Sequence, residues 1–157
     1  MIEIIKAEEK HVTAIGKLWW EFMIFHQNID RIFTPREGSI LSFEEHQLRR
    51  MMKSEDSLVL VALDGVNIVG FSLTEIRGLT PGFGRDKFGH IDDMGVTASH
   101  RRKGIGEKML VEIIKWLQLK NIKRVELGIA AKNQIADSFW HKHGFEIYSH
   151  TLFKEIK

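Results

Sequence analysis

Apolar residues are two positions apart in some parts of the chain and three to four apart in others, and this spacing predicts its strands and helices. The alternation in Ile2–Ile5 predicts a short first strand. The first helix, which we expect to end near Asp30, has apolar residues at the spacing of one helical face: Ile15, Leu18, Trp19, Phe22, Phe25 and Ile29.

A loop and a second helix are predicted to follow. Residues 31–42 contain a proline and a glycine, which favour a loop. Ser42 stands three residues before Glu45, the spacing of a capping box, in which both side chains bond free amides at a helix start. We therefore expect the second helix to begin at Ser42 and to end near Lys53.

Two apolar, β-branched runs in the middle of the chain predict a hairpin. The runs Ser57–Ala62 and Asn67–Glu75 are separated by a short segment that contains Asp64 and Gly65. An Asp-Gly pair between such runs is a strong hairpin signal, because both residues tolerate a positive φ. Two antiparallel strands are expected here.

The second half of the chain predicts alternating strands and helices after a glycine-rich loop over residues 78–89. The predicted elements are a strand over His90–Thr97, a helix over about Gly104–Lys120, a strand over Lys123–Ala130, a helix from Asn133 to about His143 that Gly144 closes, and a final hairpin of Phe145–Tyr148 and Thr151–Ile156. The order β-α-α-β-β-β-α-β-α-β-β indicates one mixed α/β domain over residues 1–157, built on one sheet.

Length, charge and composition narrow the class of protein further. A chain of 157 residues is near the commonest size of one domain, and its net charge of +2 gives no strong field toward nucleic acid or membranes. The absence of cysteine excludes disulfides, thiolate zinc sites and a cysteine nucleophile. The N-terminus lacks the layout of a signal peptide, and we expect a cytoplasmic protein without a membrane or nucleic-acid partner.

The segment Val96–Gly106 has the composition of a phosphate-binding loop. It lies between a predicted strand and a predicted helix, where free amides and the positive end of the helix dipole attract phosphate. Gly104 and Gly106 allow a close approach to the backbone, and the cluster Arg101–Lys103 adds positive charge. The spacing matches neither a Walker motif nor a dinucleotide fingerprint.

The pattern Arg101-x-x-Gly104-x-Gly106 resembles the signature of the GCN5-related N-acetyltransferase superfamily. A second block is similar to the family's later motif, in which an Asn opens a helix, two aromatics follow and Gly-Phe begins the next strand: Asn133, Ala136, Phe139, Trp140, Gly144 and Phe145. The resemblance covers roughly residues 57–148. It implies a sheet that splays between its fourth and fifth strands, with acetyl-CoA in the gap.

The resemblance also implies which residues bind the cosubstrate. The backbone of Met94, Gly95 and Val96 would bind pantetheine, with an N–H near Met94 directed at the thioester carbonyl. The pyrophosphate would be held by backbone amides, those of Arg102, Lys103, Gly104, Ile105, Gly106 and Glu107. The Asn133 side chain would contact the cofactor arm, and Trp140 would lie within reach of the thioester sulfur.

A residue that prepares the amine is expected on the fourth strand. A free alkylamine has a pKa near ~10.4, so a base helps to form the neutral nucleophile. The resemblance implies Asp92 as the first choice and His90 as the second, and Asp93 stays open without a rank. Glu75 and Glu126 also stay open. Strand alternation predicts that His90 and Asp92 share a face with Met94, and that Asp93 lies on the other face.

The acid that would protonate the leaving thiolate is absent from its usual position. The family commonly has Tyr where this chain has Trp140, and an indole N–H does not release its proton in practice. The only tyrosine, Tyr148, is a weak substitute. This departure favours the rival interpretation, a non-catalytic module that binds CoA or a partner, whereas packing alone also explains Trp140.

The acceptor and the partners are less defined than the cosubstrate. The resemblance places the acceptor pocket between the first two helices, their loop and the last hairpin, and it admits a small amine, a polyamine, an amino acid or a protein amine. Asp92 and Asp93 favour a cationic amine slightly. His141 and His143 lie about 200° apart on a helix and cannot share a metal, so no metal is expected. A homodimer stays open.

Overall fold

Helices cover both faces of a five-stranded sheet in the computed structural model, which describes residues 1–78, 82 and 87–156. The strands lie in sequence order and are β1 Ile2–Lys6, β2 Ser57–Asp64, β3 Asn67–Arg77, β4 Phe88–Val96 and β5 Val125–Leu127. All neighbours are antiparallel except β4 and β5, which are parallel. The predicted mixed α/β class with a central sheet is therefore confirmed.

The helices follow the predicted order. Their bounds are α1 Val12–Ile29, α2 Ser39–Ser42, α3 Arg49–Lys53, α4 Ile105–Leu119 and α5 Gln134–Lys142. A π-helical segment, Phe43–Leu48, joins α2 to α3, and short 3-10 turns occupy Glu9–His11, Arg31–Phe33 and Ala98–His100. The first strand, the first helix, the central hairpin and the two later helices agree with the predictions from the sequence.

Apolar side chains form a core on each face of the sheet. On one face, α1 and the π-helical segment pack on β2 and β3 through Ile15, Leu48 and Phe71. On the other face, Ile113 of α4 and Trp140 of α5 pack in one cluster with apolar side chains of β2 and β4. Burying one such large side chain contributes roughly 1.5–3 kcal/mol, so these two cores fix the helices that surround β4.

The second helix begins earlier than predicted. Gly38 adopts a φ of 77°, and α2 starts at Ser39 directly after it. Ser42 lies inside the helical run with no side-chain cap, so the capping box predicted with Glu45 is wrong. The left-handed glycine provides the helix start that the sequence pattern had assigned to serine.

The predicted final hairpin does not form. Residues 145–156 have no strand structure, and large apolar side chains there are exposed, among them Ile147, Leu152 and Phe153. The neighbouring β5 is also shorter than the predicted Lys123–Ala130, which leaves only a short edge for pairing. The glycine-rich loop predicted over residues 78–89 lies mostly outside the described residues.

Candidate active site

The loop between β4 and α4 has an unusual backbone conformation. Arg102 has a φ of 60°, which is uncommon for a residue other than glycine, and Gly104 has a φ of 76° just before α4 begins. A left-handed residue within such a turn points successive N–H groups into one concavity that binds anions. The predicted phosphate-binding loop therefore has the backbone shape that this role needs.

A row of unpaired backbone amides follows from this shape. In the described part of the chain, no acceptor lies on the N–H groups of residues 102–107, and the first paired amide of the helix is that of Lys108, 3.0 Å from the Gly104 carbonyl. The first amides of a helix have no partner within the helix and are free for solvent or a ligand. The row is consequently a candidate anion-binding feature of the site.

The cations of the loop differ in what their side chains contact. Arg101 donates from Nε to the Val96 carbonyl at 3.1 Å, and its guanidinium lies 4.7 Å from the centre of the Phe25 ring. Arg101 therefore ties the loop to β4 and α1. Arg102 and Lys103 are exposed, and no described residue bonds their side chains.

β4 separates from β5 where the resemblance implies a gap. The parallel pairing runs from Gly89 with Val125 to Ile91 with Leu127 and then stops, while β4 continues to Val96. Between Ile91 and Val96 the β5 side of the strand has no partner strand in the described residues. Met94, Gly95 and Val96 thus lie along an open edge that an extended ligand could pair with.

A bulge in β4 changes the predicted faces of its side chains. Leu73 pairs with Asp93 and Thr74 with Ile91, so Asp92 is the extra residue of the bulge. The prediction that Asp92 and Asp93 lie on opposite faces is therefore wrong. Both carboxylates lie toward α1, whereas Met94 packs in the core beneath α4.

An ion-pair network holds Asp92. Its Oδ1 accepts a hydrogen bond from the Arg77 guanidinium and lies 3.1 Å from His90 Nδ1. Arg77 also donates to Glu75 at 2.8 Å, and Arg50 of α3 contacts the other oxygen of Glu75 at 3.3 Å. The sequence pattern gave no sign of these arginines, because the pairs join residues on different elements.

Asp93 has a different environment from its neighbour. Burial, together with the adjacent charge of Asp92, raises the pKa of Asp93 to about 6, while the neighbouring Trp19 side chain opposes the shift. A carboxyl group that titrates near neutrality can both accept and release a proton under ordinary conditions. Asp93 therefore has the acid–base property of a general base, and the sequence had left it open only alongside Glu75 and Glu126, behind Asp92 and His90.

The second sequence block supports the loop from α5. Asn133 caps this helix, with its Oδ1 accepting from the Ala136 amide at 3.1 Å, so that only its side-chain Nδ2 is left for a ligand. The Phe139 ring packs on Gly106, where a Cβ would come within 3.2 Å of the ring. Glycine at 106 thus allows α5 to pack closely on the start of α4.

Trp140 lies in the core. Only 8% of the residue is exposed, and its ring lies edge-on to Phe139 and Phe145, with both centroids 4.9 Å away. This placement favours the packing explanation over contact with the thioester sulfur. Tyr148, the weak substitute, donates from its hydroxyl to Glu126 at 2.5 Å beside β5.

Residues 1–78 and 87–156 contain no group of three or more His, Asp or Glu side chains arranged to hold a metal ion. No helix within those ranges is long and apolar enough to cross a membrane.

The element order, the loop and the open edge of β4 point to one protein family. The model of the acetyltransferase (GNAT) family matches residues 15–145, and the chain belongs to that family. The match includes β4, the amide row and α5, which are the elements that the sequence motifs identified.

Similar proteins include one curated relative and several solved structures. The N-terminal acetyltransferase complex ARD1 subunit homolog of Leishmania donovani is 30% identical over 76 residues, which is 48% of this chain and 41% of that protein. The tetramutant of the BH1408 protein from Bacillus halodurans has a TM-score of 0.84 at 22% identity, covering 98% of this chain and 99% of that one. The aminoglycoside 6'-N-acetyltransferase AAC(6')-IG from Acinetobacter haemolyticus has a TM-score of 0.77 at 16% identity, covering 99% and 98%.

Proposed function

We propose that this protein transfers the acetyl group of acetyl-CoA to a primary amine within a ternary complex. The observation that carries the proposal is the row of unpaired amides at residues 102–107, at the start of a helix and beside the open edge of β4. An acetyl donor with a diphosphate and an extended amide-containing arm has groups complementary to both features. A related solved structure, aminoglycoside N-acetyltransferase AAC(6')-Iy, is a complex with CoA.

The groups of the loop are complementary to those of such a ligand. The amides of Arg102–Glu107 would bind the diphosphate, with the exposed Arg102 and Lys103 adding charge. The backbone of Met94–Val96 would bind the arm, and the free Nδ2 of Asn133 lies at the start of α5 to contact it. An N–H near Met94 would stabilise the oxyanion, and losing such a donor costs ~10²–10³ in rate in other enzymes.

Acetyl transfer needs a neutral amine beside the thioester. The amine nitrogen attacks the carbonyl carbon, a C–N bond forms, the C–S bond breaks and the electron pair leaves on the CoA sulfur. We assign Asp93 to accept the proton that the amine loses, since its pKa is raised to about 6 by burial. Asp92 and His90, the first choices from the sequence, would bind and orient the ammonium group before that step.

The leaving group needs little assistance. A thiol has a pKa near ~8.5, so its thiolate can leave and be protonated by solvent or by the proton taken from the amine. This chemistry allows Trp140 to serve as a core residue without a part in proton transfer. The rival proposal, a CoA-binding module without activity, rests on the same tryptophan.

Amine acceptors of two kinds follow from the related proteins. The aminoglycoside acetyltransferases suggest a small polyamine-like acceptor, and the N-terminal acetyltransferase relative suggests a peptide amine. A screen of amines, amino acids, aminoglycosides and short peptides with acetyl-CoA would measure the release of CoA thiol. We expect release that requires an amine, and an acetylated product of matching mass.

The rival module gives a different result in the same screen. Acetyl-CoA would raise the melting temperature through binding to the native state, but no amine would release thiol. That outcome would overturn the proposed activity while leaving the loop assignment in place.

A further inference from the structure

A cavity lies on the face of the sheet covered by α1, near the carboxylates of Glu75 and Asp93. It has a volume of about 560 Å³, and the residues that line it include Trp19, Arg36, Glu37, Phe43, His46 and Arg50. Trp19 stacks on Phe43 with a centroid distance of 4.3 Å and an interplanar angle of 5°, which gives the cavity a flat aromatic wall.

Two contacts connect this cavity to the carboxylates of β3 and β4. The side chain of Trp19 lies close enough to Asp93 to affect its pKa, and Arg50 contacts Glu75 at 3.3 Å. Both residues also line the cavity. A molecule in the cavity with an amine at Asp93 would therefore extend along Trp19 toward the arginines.

The π-helical segment between α2 and α3 positions the aromatic wall that Trp19 and Phe43 form. Phe43, His46 and Gln47 all belong to the π-helical segment, and they all line the cavity. A π-turn is wider than an α-turn and is frequent at functional sites. It buries Phe43 under Trp19 while His46 stays exposed at the rim.

Charge is distributed unequally between the two ends. Glu75 contacts Arg50 and Asp93 lies beside Trp19, so negative charge stands behind these two residues of the wall, where an ammonium group is favoured. The rim holds the exposed guanidinium groups of Arg36 and of Arg50, which also contacts Glu75, together with the carboxylate of Glu37. Among the described residues none bonds the Arg36 side chain, so its guanidinium is available to a ligand.

We infer that the acceptor is a small amine that also carries an anionic group, a carboxylate or a phosphate. The inference rests on the proposed acetyl transfer, and it specifies the second end of the acceptor. The amine lies at Asp93 and the anion between Arg36 and Arg50, where a guanidinium can bind it with two parallel hydrogen bonds. A diamine places its second cation beside these arginines and is disfavoured.

Matched acceptors that differ only in the anion test this inference. The pairs are β-alanine with ethylamine, lysine with cadaverine, and phosphoethanolamine with ethanolamine, and kcat/KM is measured by release of CoA thiol. We expect the anionic member of at least one pair to exceed its partner by about tenfold. Comparing the two carboxylate pairs with the phosphate pair shows which anion the site prefers.

Three variants locate the effect. Arg36→Gln should remove the preference, and Arg36→Glu should reverse it toward cadaverine, because the rim then attracts a cation. Arg31→Gln changes an exposed arginine of the same connecting segment that does not line this cavity, and it should keep the preference. Arg36 is exposed, so the variants are expected to fold, which circular dichroism would check.

The outcomes separate the two proposals. Equal or better use of the amines without an anion by the unmodified protein would overturn the inference and leave acetyl transfer intact. A preference that survives Arg36→Glu unchanged would also overturn it, because the anion would then be bound elsewhere. No thiol release with any amine would overturn the proposed acetyl transfer and this inference together.

Discussion

The cosubstrate half of the site and the acceptor half present their binding groups in different ways. The loop before α4 offers backbone amides, whose direction is set by Arg102 and Gly104 in left-handed conformations. The acceptor half offers side chains from α1, the π-helical segment and β4, joined by long-range pairs such as Arg50 with Glu75. A backbone site leaves a fixed spacing of glycines in the sequence, whereas a side-chain site of this kind leaves none.

The largest effect is expected from a change that places charge in the amide row. Gly104→Asp should weaken acetyl-CoA binding by more than about a hundredfold, because the added carboxylate repels the diphosphate. Titration calorimetry measures this loss directly.

The matched control for that change is Gly104→Asn. Asparagine has nearly the same size, has no charge and is among the residues that tolerate a positive φ, and nothing lies within 4 Å of a Cβ at this position. We expect it to retain most of the binding. Equal losses in both variants would show that the backbone conformation, and not the charge, causes the effect.

The next largest effect concerns the base. Asp93→Asn should lower kcat by about a hundredfold near pH 7, since general bases contribute about that factor or more. In the unmodified protein kcat should rise with pH through about 6, where Asp93 loses its proton. This rise of kcat with pH, the acidic limb of the profile, should be absent from Asp93→Asn. The rate of that variant would recover at high pH, where the ammonium group of the acceptor loses its proton in solution.

Asp92→Asn is the comparison that separates the two neighbouring carboxylates. The charge of Asp92 raises the pKa of Asp93, so its removal should move the kcat limb to lower pH without abolishing it. If Asp92→Asn abolished the limb and Asp93→Asn kept it, the first choice from the sequence would be the base after all.

The pH dependence of the stability should also report the titration of Asp93. A carboxyl whose folded pKa of about 6 exceeds its usual value of 3.8 binds its proton more tightly in the folded state. The free energy of unfolding should therefore fall as pH rises from about 4 to about 6, and this decrease should be smaller in Asp93→Asn. Urea denaturation across that pH range measures the difference, and identical pH profiles would contradict the assigned shift.

A smaller effect is expected from the exposed cations. Arg102→Ala should weaken CoA by about tenfold but leave pantetheine unchanged, because only CoA carries the diphosphate. Lys108→Ala, an exposed cation one residue beyond the amide row, should change neither affinity. An equal loss for CoA and pantetheine would place Arg102 away from the phosphates.

The cosubstrate half was predictable from sequence for a physical reason. The strand, the glycines and the α4 start must follow one another closely for the amides to converge, so their spacing is fixed along the chain. Asn133 and Phe139 were also recognisable, since one caps α5 and the other packs on Gly106.

The acceptor half was not predictable in the same detail. The bulge at Asp92 arises from the register of β3 with β4, and the pattern of β4 alone suggested regular alternation. Gly38 and the π-helical segment replaced the expected serine cap, and they placed Phe43 under Trp19. These features depend on pairings between distant segments, which local spacing does not report.

The smallest effect is expected at Trp140. Trp140→Phe should keep kcat within about threefold, because the indole is buried between Phe139 and Phe145 and has no proton to give. The free energy of unfolding of Trp140→Phe should fall by about 1–2 kcal/mol through lost packing. Trp140→Tyr should be at most slightly faster, and a loss of kcat beyond about a hundredfold in Trp140→Phe would make the indole a catalytic donor.

The central claim is that backbone amides of residues 102–107 hold the diphosphate of acetyl-CoA. Amide nitrogen–proton NMR spectra of the protein titrated with CoA test this claim residue by residue. The account predicts the largest downfield proton shifts at these amides, and much smaller shifts there when pantetheine replaces CoA. Large shifts confined to other segments, or equal shifts with pantetheine, would contradict it.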